Sequence, residues 1–247
     1  MATGILRIQA FAARQSSPIE GVTVNVSGDG FTATRLTDAE GNAADVTLTT
    51  PACALSLDED NTTQAPYAVC SLVASKPGYR TVRIQGVQVF PGQVTLAQPE
   101  MIPDTEEIRD PLNAPIIIPP HSLFTGNGGS GPTPALACVP RVLDRVIIPK
   151  NITVHLGRPA ASAQNVTVSF RRYIANVASS EVYPTWPEQA LRANIHCQIS
   201  LALNRIYTEW YPSKGYTFNI TNSTSYDQYY VHGRTVFDVM VRLTDDI

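Results

Sequence analysis

Glu181 is the residue of this chain whose surroundings best suit acid–base chemistry. It lies where a run with a helical apolar period gives way to Tyr183 and Trp186, so apolar and aromatic side chains flank it. Burial among such side chains and a position at the C-terminal end of a helix both disfavour the carboxylate and raise its pKa. A carboxyl group of that kind can give and take a proton near neutral pH. The alternative interpretation is a solvated glutamate at a helix end, which the local pattern alone favours.

Two other residues nearby have a structural explanation beside a functional one. The stretch Thr185–Glu188 reads Thr-Trp-Pro-Glu, the pattern of a capping box with Thr185 as N-cap and Glu188 as its partner. This structural role is favoured over a site role for Glu188. Arg205 is a candidate for orienting an acid or binding an acetamide group, and a surface position on a helix explains it equally well.

Helices and short strands of the second half must position these side chains. Two alternating strands are predicted from Ile152 onward, and Ser169 is the predicted N-cap of the helix that follows and runs to about Ser180. A second helix follows the capping box, and Thr235–Leu243 favours a third. The apolar stripes are Phe170, Tyr173, Ile174 and Val177 in the first helix, and Leu191, Ile195, Ile199, Leu203 and Tyr207 in the second. Residues 151–247 are therefore predicted to form an α+β domain.

The first hundred residues predict strands only. Val22, Val24 and Val26 alternate with polar residues, and Gly- and Asp-containing turns separate this run from its neighbours. Many short strands with regular turns indicate an all-β sandwich over residues 1–104. Further strands are predicted near Ala44–Leu48, Tyr67–Ser75, Arg80–Val89 and Val94–Leu96.

Three segments of this region, PIEGVTVNVSG, TDAEGNA and SKPGYRTVRI, occur in the order found in a known family. They resemble the carboxypeptidase-regulatory or transthyretin-like β-sandwich over about residues 4–104. The resemblance implies a non-catalytic module that docks or spaces its neighbours, and hence a protein assembly through this domain. It carries no catalytic residues.

Residues 105–150 have the composition of a linker. Proline is frequent here, and a Gly/Ser run begins at Gly126. Such stretches form extended pieces joined by a flexible hinge, with proteolysis expected near Gly126–Pro132. The apolar patch Ile116–Ile118 predicts that part of the linker lies along a domain surface.

The second half carries a longer resemblance. The strings Tyr173–Val182 and Pro184–Ala193, followed by ITNSTSYDQYY, resemble the core of the stage II sporulation protein D (SpoIID/LytB) family over about residues 152–240. That family comprises lytic transglycosylases acting on the glycan strands of peptidoglycan, without a cofactor. The resemblance implies that Glu181 is the catalytic residue. The substrate-binding residues it implies, together with those suggested above, are Tyr183, Trp186, Arg205, Tyr226 and Gln228. An equally favoured interpretation of Tyr226 and Gln228 is that they are strand residues of the sheet.

A single carboxyl group is sufficient for this chemistry. An ordinary glycosidase needs two, one as acid and one as base or nucleophile. A lytic transglycosylase protonates the glycosidic oxygen and lets the C6 hydroxyl of the same sugar attack C1, giving a 1,6-anhydro product. One residue with a raised pKa can donate the first proton and accept the second.

The chain also departs from the family. It ends at Ile247 without the family's two C-terminal glycine-containing segments, so the predicted SpoIID-like domain is incomplete and activity of this chain alone is in question. Asn194 and Cys197 stand where the family usually has glutamine or small residues. The alternative function is a non-catalytic structural or attachment subunit of a phage-tail-like or cell-surface assembly that binds peptidoglycan.

Composition limits the partners and the location. The net charge of −3 gives no electrostatic reason to expect nucleic acid. The N-terminus has no uninterrupted apolar stretch, which predicts neither a signal peptide nor membrane insertion. A protein acting at the bacterial cell wall would then leave the cell by lysis, by a dedicated machine or with a targeting segment that is missing here. The spacing of the four cysteines favours free thiols over a Cys53–Cys70 disulfide, and no metal site is expected.

Overall fold

The computed structural model of the protein describes residues 2–12, 17–104, 114–125 and 147–247. The chain divides into two compact units, each built from two segments. The first comprises Met1–Pro120 and Gly233–Val239, and the second His121–His232 and Met240–Ile247.

Strands dominate the first unit and helices the second. The strands are β1 Ala2–Gln9, β2 Phe11–Ala12, β3 Ser17–Pro18, β4 Thr23–Gly28, β5 Phe31–Leu36, β6 Asn42–Thr50, β7 Ala68–Ser75, β8 Val82–Val89, β9 Val94–Ala97, β10 Ile116–Ile117, β11 Asn151–His155, β12 Asn165–Ser169, β13 Ile220–Thr221 and β14 Val236–Phe237. The helices are α1 Ala54–Leu57, α2 Ser122–Thr125, α3 Phe170–Glu181, α4 Glu188–Tyr207 and α5 Asp238–Asp246.

The first unit is a β-sandwich, as the alternating pattern predicts. One sheet has the strand order β14-β9-β1-β6 and the other β10-β8-β7-β4-β5. In β4 the side chains of Val24 and Val26 are buried while Asn25 and Ser27 are exposed, because successive residues of a strand point to opposite faces. The buried valines join Leu6, Leu72 and other residues of both sheets in one hydrophobic core. The strands predicted as β6 to β9 are confirmed with shifted ends.

The first unit extends beyond the predicted boundary at residue 104. Ile116 and Ile117 pair in parallel with Ile84 and Gln85, so part of the predicted linker is an edge strand of the sandwich. Ile118 is buried in the same core. Burial of Ile118 and partial burial of Ile116 explain the difference, since they stabilise this segment against the sheet, while Ile117 remains exposed. The predicted protease-sensitive stretch 126–132 lies outside the described residues.

A second departure from the predicted boundary is the return of the chain to the first unit. Val236 and Phe237 pair with Leu96 and Thr95 of β9, which makes β14 an edge strand of the sandwich. The ring of Phe237 contacts that of Phe90 edge-on, with centroids 5.2 Å apart. The helix predicted over Thr235–Leu243 is found as α5, which begins after this strand.

The second unit is an α+β structure. Its sheet has the order β12-β11-β13, with β11 antiparallel to β12 and parallel to β13. Ser169 caps α3 as predicted, because its hydroxyl accepts a hydrogen bond from the backbone N–H of Arg172 at 3.3 Å. The C-terminal end of α3 and the middle of α4 position the candidate acid described below.

The thiols of Cys53, Cys70 and Cys197 are free, in agreement with the favoured interpretation. Cys70 is buried in the sandwich, and burial raises the pKa of its thiol to about 12. Cys53 is exposed. The structure therefore shows no disulfide between Cys53 and Cys70.

The docking of β10 on the sandwich can be tested at Gly86. Its φ is +76°, and a Cβ there would lie 2.1 Å from the carbonyl oxygen of Ile118. Gly92 has a similar φ of +68° with open space around it. We expect Gly92→Ala to lower the free energy of unfolding by about 1–2 kcal/mol through backbone strain. Gly86→Ala should lose roughly 1–3 kcal/mol more through overpacking.

Urea denaturation of both variants measures the difference. Equal losses in the two would show that Ile118 does not stay against Gly86 in solution.

Candidate functional site

Glu181 is the last residue of α3, and its carboxylate is held at both oxygens. Oε1 accepts a hydrogen bond from the backbone N–H of Tyr229 at 2.9 Å. Oε2 accepts one from the side-chain amide of Gln198 at 2.9 Å. Desolvation raises the pKa of Glu181 above its ordinary value, and these two hydrogen bonds oppose the rise without cancelling it. The group therefore keeps its proton to higher pH than an ordinary glutamate.

Gln198 was not among the predicted site residues. The sequence predicts an apolar stripe of α4 that includes Ile199 and Leu203, and neither side chain is buried. The structure buries Gln198 and Arg205 instead. The inward face of α4 is Leu191, Ile195, Gln198, Ala202 and Arg205. The spacing of these residues by three and four positions is visible in the sequence. Because Gln198 and Arg205 are polar, their apolar neighbours fit the expected pattern of a buried helix face better.

Residues that follow β13 form hydrogen bonds with both α3 and α4. The side chain of Asn176 on α3 donates to the carbonyl of Val231 at 2.8 Å and accepts from its N–H at 3.0 Å. The amide of Gln228 joins the same two helices, as described below. Because Tyr229 lies between these attachments, its N–H is directed at Glu181. We call residues 226–231 the clamp loop.

Gln228, predicted to bind substrate, lies in this loop. It is buried, with its amide oxygen accepting from the hydroxyl of Tyr173 at 3.0 Å and its nitrogen donating to the carbonyl of Gln198 at 3.0 Å. Both ends of the amide are thus engaged inside the protein. Gln228 positions the clamp loop on α3 and α4.

Arg205 likewise has an internal partner, the carboxylate of Asp227. Its Nε donates to Asp227 Oδ1 at 2.7 Å, and its guanidinium also donates to the carbonyl of Tyr226 at 3.0 Å. The side chain of Asp227 is fully buried and that of Arg205 is 11% exposed. The pair fixes the start of the clamp loop to α4.

Asp227 is the centre of this second cluster and was missed in the sequence. Its Oδ2 accepts from the hydroxyl of Tyr211 and from the backbone N–H and hydroxyl of Thr221, the last at 2.7 Å. Burial, the charge of Asp227 and their hydrogen bond all raise the pKa of Tyr211, so this phenol remains a donor. Asp227 thus ties β13, α4 and the clamp loop together.

The aromatic residues predicted to bind substrate are placed differently from one another. Tyr183 is buried, with its ring 4.6 Å from that of His121 and 6.3 Å from that of Trp186. Trp186 and Tyr226 are partly exposed. Of the three, Tyr183 and Trp186 directly follow Glu181 between α3 and α4, whereas Tyr226 belongs to the Arg205 cluster.

Glu188 does not act as predicted in a capping box. The N-cap of α4 is Pro187, which offers no side-chain hydrogen bond. The carboxylate of Glu188 instead accepts from Arg192 at 3.1 Å and from Arg242 at 3.4 Å, and these guanidinium groups lower its pKa. Because α4 begins at Glu188, this residue occupies the first helical position and not the third that a capping box requires, and it forms ion pairs instead. Glu188 is exposed and remains a structural residue.

A surface depression of about 280 Å³ in the second unit lies apart from these residues. His155, Asn165, Tyr216 and Phe218 line it together with small residues of 159–163. Glu181 and the five predicted substrate-binding residues are not among its walls.

The described part of the chain shows neither a metal-binding cluster nor a membrane-spanning helix. Residues 2–12, 17–104, 114–125 and 147–247 contain no group of three or more His, Cys, Asp or Glu side chains able to hold a metal ion. None of the helices within them is long and apolar enough to cross a bilayer.

The Arg205–Asp227 pair should be essential to stability. Removing one partner of a buried ion pair costs roughly 3–5 kcal/mol because the other charge is left buried alone. We expect Asp227→Asn to lower the free energy of unfolding by about that amount. Asp245→Asn is the matched control, since the Asp245–Arg171 pair is exposed and such pairs contribute about 1 kcal/mol or less.

Urea denaturation compares the two variants. A loss in Asp227→Asn no larger than that in Asp245→Asn would mean that the cluster does not hold the clamp loop.

The raised pKa of Glu181 predicts how stability changes with pH. A carboxyl whose pKa is higher in the folded than in the unfolded state contributes stability below the unfolded pKa. That contribution is lost as the pH rises through the folded pKa. Glu181→Gln, which does not titrate, should therefore be more stable relative to wild type at pH 7 than at pH 4. The lowered pKa of Glu188 gives the opposite trend for Glu188→Gln.

Thermal melts of the three proteins at both pH values check the sign. A Glu181→Gln variant that loses relative stability on going from pH 4 to pH 7 would contradict the pKa direction.

The known proteins that match this chain are solved structures. No family model matches the chain, and no curated protein matches it. Among solved structures, it is similar to the TIE protein of Bacillus anthracis at 15% identity and a TM-score of 0.30, over 42% of this chain and 17% of that one. It is also similar to 5-hydroxyisourate hydrolase of Klebsiella pneumoniae at 18% identity and a TM-score of 0.25, over 39% and 84%. A third is catechol 1,2-dioxygenase of Acinetobacter sp. ADP1, at 15% identity and a TM-score of 0.28, over 47% and 58%.

Proposed function

We propose that the second unit is a SpoIID-like domain that acts on the glycan strands of peptidoglycan as a lytic transglycosylase, with Glu181 as its acid and base. The observation that carries the proposal is the state of this carboxyl group. It is partly buried, desolvation raises its pKa, and a backbone N–H fixes one of its oxygens. A surface glutamate such as Glu188 shows the opposite shift.

The reaction needs a proton at one oxygen and no second carboxyl group. Neutral Glu181 would give its proton to the glycosidic oxygen as the bond from that oxygen to C1 breaks. The C6 hydroxyl of the same sugar then bonds to C1 and returns its proton to Glu181, so no water is consumed. Tyr229 N–H and the Gln198 amide hold the carboxylate that exists between the two transfers.

The residues around the acid are consistent with a saccharide ligand. Trp186 follows Glu181 closely and is partly exposed, and an aromatic face of this kind can stack on a sugar ring. Tyr183 supports Trp186 from the interior. In this proposal the protein acts at the bacterial cell wall, and the β-sandwich docks the enzyme within a larger protein assembly.

A second candidate function is attachment to peptidoglycan without cleavage. It is favoured by the depression lined by Tyr216 and Phe218, because Glu181 is not among the residues that line it. In this case the protein is a structural subunit of a phage-tail-like or cell-surface assembly.

Digestion of purified peptidoglycan by matched variants tests the first proposal. We expect Glu181→Gln to reduce the release of 1,6-anhydro-muropeptides by about 100- to 10,000-fold, because the amide keeps the shape and cannot transfer the proton. Glu188→Gln removes the same charge from an exposed ion pair and should retain activity. Mass spectrometry of the soluble fragments measures both.

The outcomes separate the two functions. Equal activity in wild type and Glu181→Gln would refute the assignment of the acid. Wild-type protein that sediments with peptidoglycan and releases no anhydro product would favour the attachment function.

A further inference from the structure

The side-chain amide of Gln198 has one end bonded and one end free. Its Nε2 donates to Glu181 Oε2 at 2.9 Å. Its Oε1 is buried and has no hydrogen-bond partner among the described residues, although Gln198 is only 5% exposed. An unpaired acceptor in the protein interior is costly and calls for an explanation.

Gln228 provides the contrast within the same site. Its amide oxygen accepts from Tyr173 and its nitrogen donates to the Gln198 carbonyl, so a half-turn of this amide would place its oxygen against that carbonyl oxygen. A half-turn of the Gln198 amide disturbs a single hydrogen bond, the one to Glu181. Its backbone meanwhile stays fixed through the bond from Gln228.

The two oxygens of Glu181 are not equivalent as proton carriers. Oε1 faces the N–H of Tyr229, a backbone donor that cannot become an acceptor. A proton on Oε1 would therefore find no acceptor in Tyr229 N–H. Oε2 faces an amide, which offers a donor in one orientation and an acceptor in the other.

We infer that the Gln198 amide rotates by half a turn whenever Glu181 gains or loses its proton, and that the exchangeable proton resides on Oε2. With Glu181 ionised, Nε2 donates to Oε2. With Glu181 neutral, the O–H at Oε2 donates to the Gln198 oxygen. Gln198 is thus a positioning residue that orients the proton, a role whose use in catalysis rests on the proposed function, whereas the rotation itself is a property of the free protein.

The charged and titratable groups around the carboxyl group allow this exchange. Tyr173 on α3 interacts electrostatically with Glu181 and stays neutral, since burial raises its pKa well above the ordinary value. Tyr230 of the clamp loop likewise has a raised pKa through burial. Asp227 of the clamp loop is paired with Arg205 of α4. Burial raises the pKa of Glu181, and the hydrogen bond from the Gln198 amide nitrogen, which stabilises the anion, opposes that rise.

Neutron crystallography of the wild-type protein reads the rotation directly, because it distinguishes the deuterated nitrogen from the oxygen of an amide. At a pD above the Glu181 midpoint, the nitrogen should face Oε2. Below the midpoint, the oxygen should face a deuteron on Oε2. The same amide orientation at both pD values would overturn the inference.

A pair of variants tests it in solution. Gln198→Leu removes the hydrogen bond from both protonation states, so the Glu181 midpoint in a carbon-13 NMR titration should change little. If the Gln198 amide could only donate, its hydrogen bond would stabilise the Glu181 anion alone, and losing that bond would raise the Glu181 midpoint. Gln189→Leu is the control, since Gln189 is exposed on the same helix and should leave the midpoint unchanged.

The peptidoglycan assay distinguishes failure of this inference from failure of the proposed function. With the proton no longer oriented, Gln198→Leu should lose about 10- to 100-fold in anhydro-product release while Gln189→Leu retains it. A wild-type protein without activity would count against the proposed function, while the neutron and titration results would still decide on the rotation.

Discussion

The buried attachment of the clamp loop to α3 and α4 determines the chemical state of the candidate site. Asp227 pairs with Arg205, Gln228 bridges the two helices, and Asn176 grips Val231 through two hydrogen bonds. Each bond forms between groups withdrawn from water, so the loss of one partner would leave a buried polar group unsatisfied. These contacts direct the backbone N–H of Tyr229 toward the carboxylate of Glu181, to which it donates a hydrogen bond.

This arrangement separates positioning from chemistry. The residues that hold the loop, among them Arg205 and Gln228, use their hydrogen-bonding groups on one another. Glu181 is left as the carboxyl group whose pKa is raised and whose second oxygen faces a neighbour with a free acceptor. A site of this kind suits a reaction in which one residue first gives and then takes a proton.

The sequence predicts best where one physical requirement acts locally. The alternation of Val24 and Val26 indicated the sandwich, and Ser169 indicated the start of α3, because burial and capping depend on near neighbours in the chain. The roles of Gln198 and Asp227 depend on partners brought together by folding. A polar residue in a loop gives no local sign of whether it will face a ligand or tie the loop to a helix. The linker boundary failed for a similar reason, since Ile116 gains its strand only from pairing with Ile84.

The central claim is that burial keeps Glu181 protonated to higher pH than an ordinary glutamate. A carbon-13 NMR titration of the side-chain carboxyl resonances, with Glu181 and Glu188 assigned by substitution, tests it most directly. The account predicts that Glu181 titrates above the ordinary glutamate value of 4.5 and Glu188 below it. A Glu181 midpoint at or below that of Glu188 would contradict it.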